Sequence, residues 1–146
     1  MEKVTSRKMS VDYFEKEGEI WVAEAQLADD EHNITLTVEL DMACMTITDA
    51  KIKYLRFPMD TCPLIEKKAS ELVGVKVDGE FTRNAMKVFM GPYGCPNIMT
   101  LLNISMPGII YFYYPHKIQT GEMHQEEWDG IVRGELKNAC LAHTML

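Results

Sequence analysis

The chain has 146 residues, enough for one ordinary domain with a real core. Apolar residues make up 47% and charged residues 25%, a globular balance with no low-complexity tract and no repeat at solenoid spacing. The net charge is -7 and the fifteen Lys and Arg are scattered, so no basic stripe is available for nucleic acid, and an anionic membrane surface is a poor partner.

One domain is expected over residues 1–146, with residues 1–17 as a loosely ordered arm. The stretch from Met1 to Lys8 lacks the apolar run of a signal peptide. The most apolar stretch, Met106 to Tyr114, is too short to span a bilayer and contains Pro107 and Gly108. A reducing cytoplasm is the expected compartment, so Cys44, Cys62, Cys95 and Cys140 are read as thiols or ligands before disulfides.

In chain order, Trp21, Ala23, Ala25 and Leu27 alternate with polar or small neighbours and predict a strand. Asp29 to Asn33 is a polar turn. Ile34, Leu36, Val38 and Leu40 alternate with Thr35, Thr37 and Glu39, the clearest period of two in the chain. After a turn at Asp41-Met42-Ala43-Cys44, a third strand runs from about Met45 to Arg56, and its change of apolar parity near Asp49 predicts a bulge. Short turns between these strands predict an antiparallel meander.

From Pro58 onward helical spacing takes over. Cys62-Pro63 opens an amphipathic stretch that places Leu64, Ile65, Ala69, Leu72 and Val73 on one stripe and ends at Gly74. A shorter helix is predicted from about Phe81 to Met90, stopped by Gly91-Pro92. Cys95-Pro96 opens another, with Ile98, Met99, Leu101, Leu102 and Ile104, and Pro107-Gly108 breaks it. Residues 109–114 fit a strand or a buried helical turn equally well. A last helix over about 126–143 would bury Trp128, Ile131, Val132, Leu136, Ala139 and Cys140. Strands first and helices afterwards predict an α+β fold: a meander of three strands or slightly more, with helices packed on one face.

The two Cys-Pro pairs carry the sharpest chemical expectation. Proline is favoured at the first helical position, which makes Cys62 and Cys95 the N-cap residues. Their sulfurs would then face unpaired backbone N–H groups and the positive end of a helix dipole, surroundings that favour thiolate. The blander reading is that each is a small buried residue. His32 in its polar turn is a possible imidazole ligand or a solvated loop histidine. Asp29, Asp30 and Glu31 read as a solvated acidic turn, and the eleven methionines as core filling. Cys140 falls on an apolar stripe and is expected in the core. There is no phosphate-binding loop, no Gly-x-Ser-x-Gly elbow and no CxxC pair.

Val22-Ala23, Asp30, His32, Ile47-Thr48-Asp49-Ala50, Pro58-x-x-x-Cys62, Leu72-Val73-Gly74 and Gly91-x-x-Gly94-Cys95 together resemble an uncharacterised bacterial family, a domain of unknown function, over about residues 20–105. That family often carries a histidine two residues after the second cysteine, where this chain has Asn97. More distantly, the pattern resembles the NifU/IscU-type iron–sulfur scaffold proteins and their SufE-like relatives. The scaffold's first cysteine is absent here, Gly94 stands where its histidine precedes the last cysteine, and the glycines around its middle cysteine are missing.

Three functions follow from these readings. The first is a metal or iron–sulfur binding protein, with Cys62, Cys95, His32 and Asp30 as ligands for zinc or an iron centre. The second is thiol chemistry, as a sulfur acceptor or transferase-like enzyme with Cys62 or Cys95 as nucleophile and His32 as base. The third is a non-catalytic interaction domain that binds a protein partner or a second copy through Met106 to Tyr114.

Overall fold

A computed structural model describes all residues, Met1–Leu146. It forms two compact units, Met1–Pro107 and Gly108–Leu146. No helix is long and apolar enough to cross a membrane.

The first unit is built on a four-stranded antiparallel meander in the order β1-β2-β3-β4. The strands are β1 (Lys8–Glu15), β2 (Ile20–Ala28), β3 (Asn33–Asp41) and β4 (Thr46–Arg56). β1 corrects the expectation of a loose arm. Its eight residues pair fully with β2, from Lys8↔Ala28 to Glu15↔Trp21. The alternation Met9-x-Val11-x-Tyr13 carried the signal, weakened because this edge strand is almost wholly exposed.

Register sets one apolar face. Leu27↔Ile34, Ala25↔Leu36, Ala23↔Val38 and Trp21↔Leu40 pair across β2 and β3, and all eight side chains are buried. The row continues into β4 through Leu36↔Ile52 and Ile34↔Tyr54. The predicted bulge exists: Glu39 faces Asp49 while Leu40 faces Ile47, which leaves Thr48 as the extra residue and restores apolar parity.

Helices cover that face, as expected for α+β. A 3₁₀ helix (Cys62–Leu72) lies against β4, and α1 (Phe81–Phe89) and α2 (Pro96–Ser105) complete the core with Phe81, Phe89, Ile98, Leu101 and Leu102 fully buried. The 3₁₀ winding corrects the predicted stripe. At three residues per turn, residues i and i+3 eclipse. Glu66, Ala69 and Leu72 therefore form the row on the sheet side, with Ala69 and Leu72 buried, while Leu64 and Val73 are exposed. The first half of β4 is bordered by residues 74–77, where Gly74 N–H donates to Ile47 O and Ile47 N–H to Val75 O. The second half is bordered by Glu66, whose Oε1 accepts from the backbone N–H of Tyr54 at 2.9 Å.

The second unit contains α3 (Ile110–Gln119), α4 (Gln125–Arg133) and α5 (Leu141–Thr144). The open choice at residues 109–114 resolves as helix. Trp128 stacks on Tyr114 with ring centroids 5.2 Å apart and meets Tyr111 edge-on at 5.9 Å. The single long helix predicted at the end is broken after Arg133, with Gly134 in a non-helical conformation and Asn138 at a positive φ of 65°. Cys140 is consequently exposed, not core.

Candidate functional site

Both Cys-Pro cysteines line one cleft of about 650 Å³ in the first unit, between the 3₁₀ helix and the loop that enters α2. Each arrives there by a different device.

Cys95 is the N-cap of α2. It is extended at φ −144° and ψ 117°, Pro96 follows at the first turn, and its carbonyl accepts from Ile98 and Met99 N–H. The loop before it is folded back tightly. Gly94 N–H donates to Gly91 O at 3.1 Å and Cys95 N–H to Phe89 O at 2.8 Å. A Cβ at position 94 would run into the Phe89 carbonyl, so only glycine lets the chain pass. Gly91, at φ +87°, makes the left-handed turn out of α1.

Cys62 heads the 3₁₀ helix but is not its cap. Thr61 holds that place in a helical conformation, which corrects the expectation that Cys62 is an N-cap. The eclipsed rows decide what faces the cleft: Thr61, Leu64 and Lys67 form one, and Cys62, Ile65, Lys68 and Glu71 the other. Lys68 ties the second row to the opposite wall. Its Nζ donates to Val88 O at 2.6 Å and to Tyr93 O at 2.9 Å, and lies 5.9 Å from the centre of the Phe89 ring. The walls are otherwise largely apolar, with exposed Leu64 and Tyr93 on the rim.

Tyr54 joins the two cysteines chemically. It stands at the end of the buried row of β4, and its hydroxyl donates to Cys95 Sγ at 2.9 Å. Burial pushes its phenol well above the ordinary value, and the hydrogen bond to Cys95 and the charges of Cys95, Cys62 and Glu66 push the same way. It therefore stays protonated, a fixed O–H donor aimed at sulfur. The sequence reading missed Tyr54. A tyrosine on a buried strand row needs a partner for its hydroxyl, and that was the available sign.

His32 and Asp30 are not at this cleft. They line a second one of about 490 Å³ with Thr5, Ser6, Arg7 and Asp29. His32 Nδ1 lies 2.9 Å from Asp29 Oδ1, which also accepts the backbone N–H groups of Glu31 and His32. Thr5 Oγ1 donates to Asp30 at 2.9 Å, Arg7 Nε donates to Asp29 Oδ2, and Arg56 caps the carbonyls of Asp29 and His32. The four ligands expected from the sequence thus divide into two pairs, and no group of three or more His, Cys, Asp and Glu is placed to hold a metal ion. The turn that carries His32 is locked by its own hydrogen bonds. Of the other cysteines, Cys44 sits exposed in the β3–β4 turn, as expected, and Cys140 belongs to the second unit.

A family model described as a protein of unknown function, DUF2889, matches residues 5–109, well over half of the chain and nearly the whole first unit with its cleft. No curated protein and no solved structure matches.

Proposed function

As the chain belongs to the DUF2889 family of proteins of unknown function, we propose its role from the geometry of the cleft: a thiol-based acceptor in which Cys95 takes up an electrophilic group. The observation that carries this is the 2.9 Å hydrogen bond from the Tyr54 hydroxyl to Cys95 Sγ inside a ligand-sized cleft. A thiol reacts as its anion, and a donor held in place before the reaction stabilises that anion without reorganisation. Tyr54 positions and stabilises the sulfur, and Lys68 holds the Cys95 loop against the 3₁₀ helix.

Selective alkylation tests the reading. Cys44 and Cys140 are exposed, whereas Cys95 is half-buried. Access alone would make the exposed pair react first. With limiting iodoacetamide near neutral pH and peptide mass spectrometry, Cys95 is expected to be labelled fastest. Cys44 and Cys140 outpacing it would reject the proposal.

A metal-holding role, with zinc or an iron–sulfur centre, would draw on the same two sulfurs. The donor set does not fit a resident ion. Structural zinc takes four ligands, whereas this cleft offers two thiols and the Glu71 carboxylate, with His32 and Asp30 in another, and no three such groups are placed to hold an ion. Elemental analysis of protein purified without a metal-binding tag checks this, with no stoichiometric metal expected.

A further inference from the structure

We infer that Cys62 is the resolving thiol of this cleft, so that the groups Cys95 takes up are held through a sulfur–sulfur bond and the substrates are disulfides or persulfides. The inference rests on the reading of Cys95 as the reactive thiol and adds to it a second residue and a substrate class.

Three observations place Cys62 in that role. It lines the same cleft as Cys95, whereas Cys44 and Cys140 do not. It heads the eclipsed row Cys62, Ile65, Lys68 and Glu71, and Lys68 of that row is bonded to the carbonyl of Val88 at the end of α1 and to that of Tyr93 on the loop that delivers Cys95. The wall that bears one sulfur is thus fixed to the wall that bears the other. Finally, the Tyr54 hydroxyl that touches Cys95 also lies within the field of Cys62, so both thiols belong to one electrostatic neighbourhood.

The substrate class follows from what a second thiol can do. It cannot displace a thioether, so an alkyl group on Cys95 would be permanent. It can only accept an acyl group, which moves the adduct without releasing it. Against a sulfur–sulfur bond it completes a reaction. The Cys95 thiolate attacks one sulfur of R–S–S–R′, a Cys95–S–R bond forms, and R′S⁻ leaves with the electron pair. The Cys62 thiolate then attacks Cys95 Sγ and expels RS⁻. The external disulfide is reduced by two electrons, and the Cys62–Cys95 pair is oxidised by two. With a persulfide R–S–SH, attack on the terminal sulfur gives Cys95–S–SH and RS⁻, and Cys62 expels HS⁻ to leave the same internal disulfide.

The full chain, wild type and Cys62→Ser, is incubated with glutathione disulfide in one arm and glutathione persulfide in the other, then mapped by non-reducing peptide mass spectrometry. Wild type is expected to end as a Cys62–Cys95 cross-linked peptide with no retained group. Cys62→Ser is expected to accumulate glutathione, or the transferred sulfur, on Cys95. The arm that turns over identifies the source of the sulfur–sulfur bond. Wild type that keeps the adduct on Cys95 and forms no Cys62–Cys95 cross-link overturns the inference, a result read on wild type whether or not the variant folds. Fast iodoacetamide labelling of Cys95 in one sample, with a glutathione or sulfur adduct that persists on wild-type Cys95 in the others, sinks the resolving role alone. Inertness of Cys95 to all three reagents sinks the acceptor reading as well.

Discussion

The hydroxyl of Tyr54 donates to the sulfur of Cys95 across 2.9 Å, and so links the last strand of the sheet to the first turn of α2. Forty-one positions separate the two in sequence, and the contact exists because the register Ile34↔Tyr54 ends the buried row beneath the cleft.

Tyr54→Phe keeps the ring and removes the donor. Loss of one hydrogen bond of this kind costs about 1 kcal/mol of stability, so the fold should persist. Alkylation of Cys95 should slow several-fold while that of exposed Cys44 stays constant. Unchanged Cys95 kinetics in a folded variant would show that the phenol does nothing for the thiol.

Gly94→Ala places a methyl group against the Phe89 carbonyl, where neither side can yield without moving backbone. A destabilisation of about 2–4 kcal/mol is expected, at the upper end for single substitutions. Chemical denaturation measures it. A neutral result would mean that the turn entering α2 is looser than its hydrogen bonds imply.

Lys68→Met retains an apolar stem and deletes the two charge-assisted bonds to Val88 O and Tyr93 O. The expected loss is about 1–3 kcal/mol, with faster hydrogen exchange at the amides of Gly94 and Cys95. Exchange that accelerates evenly over the first unit would argue against a local tie.

The 3₁₀ winding separates two leucines of the same helix. Leu64→Ser alters a 62%-exposed residue and should change stability by less than about 0.5 kcal/mol, whereas Leu72→Ala opens a cavity and should cost about 2–5 kcal/mol. Equal costs at the two positions would favour α-helical spacing.

The Asp29 turn predicts a pH dependence. Burial would raise the Asp29 carboxyl, but the hydrogen bonds from His32, Arg7 and the backbone N–H groups of Glu31 and His32 outweigh it and hold the group well below its ordinary value. A carboxylate depressed in the folded state contributes stability above its unfolded pKa and loses it as the pH falls through the folded one. The gap in melting temperature between wild type and Asp29→Asn should narrow as the pH falls below about 4. A gap that widens on acidification would reverse the assignment.

The alternation from Ile34 to Leu40, the parity change at Asp49 and the turn residues around Cys44 were sufficient to specify a meander, because burial of one sheet face imposes a period of two on adjacent residues. Cys95-Pro96 was likewise legible as a helix entry, since capping is a local matter of missing N–H partners. Leu64, Val73 and Cys140 were misplaced where winding departed from 3.6 residues per turn or glycine broke the helix. The division of Cys62 and Cys95 from His32 and Asp30, and the meeting of Tyr54 with Cys95, belonged to the tertiary structure alone. Periodicity reports which side of an element is apolar, but contacts between distant residues depend on register and on how the elements stack. No residue carries that information in its neighbours.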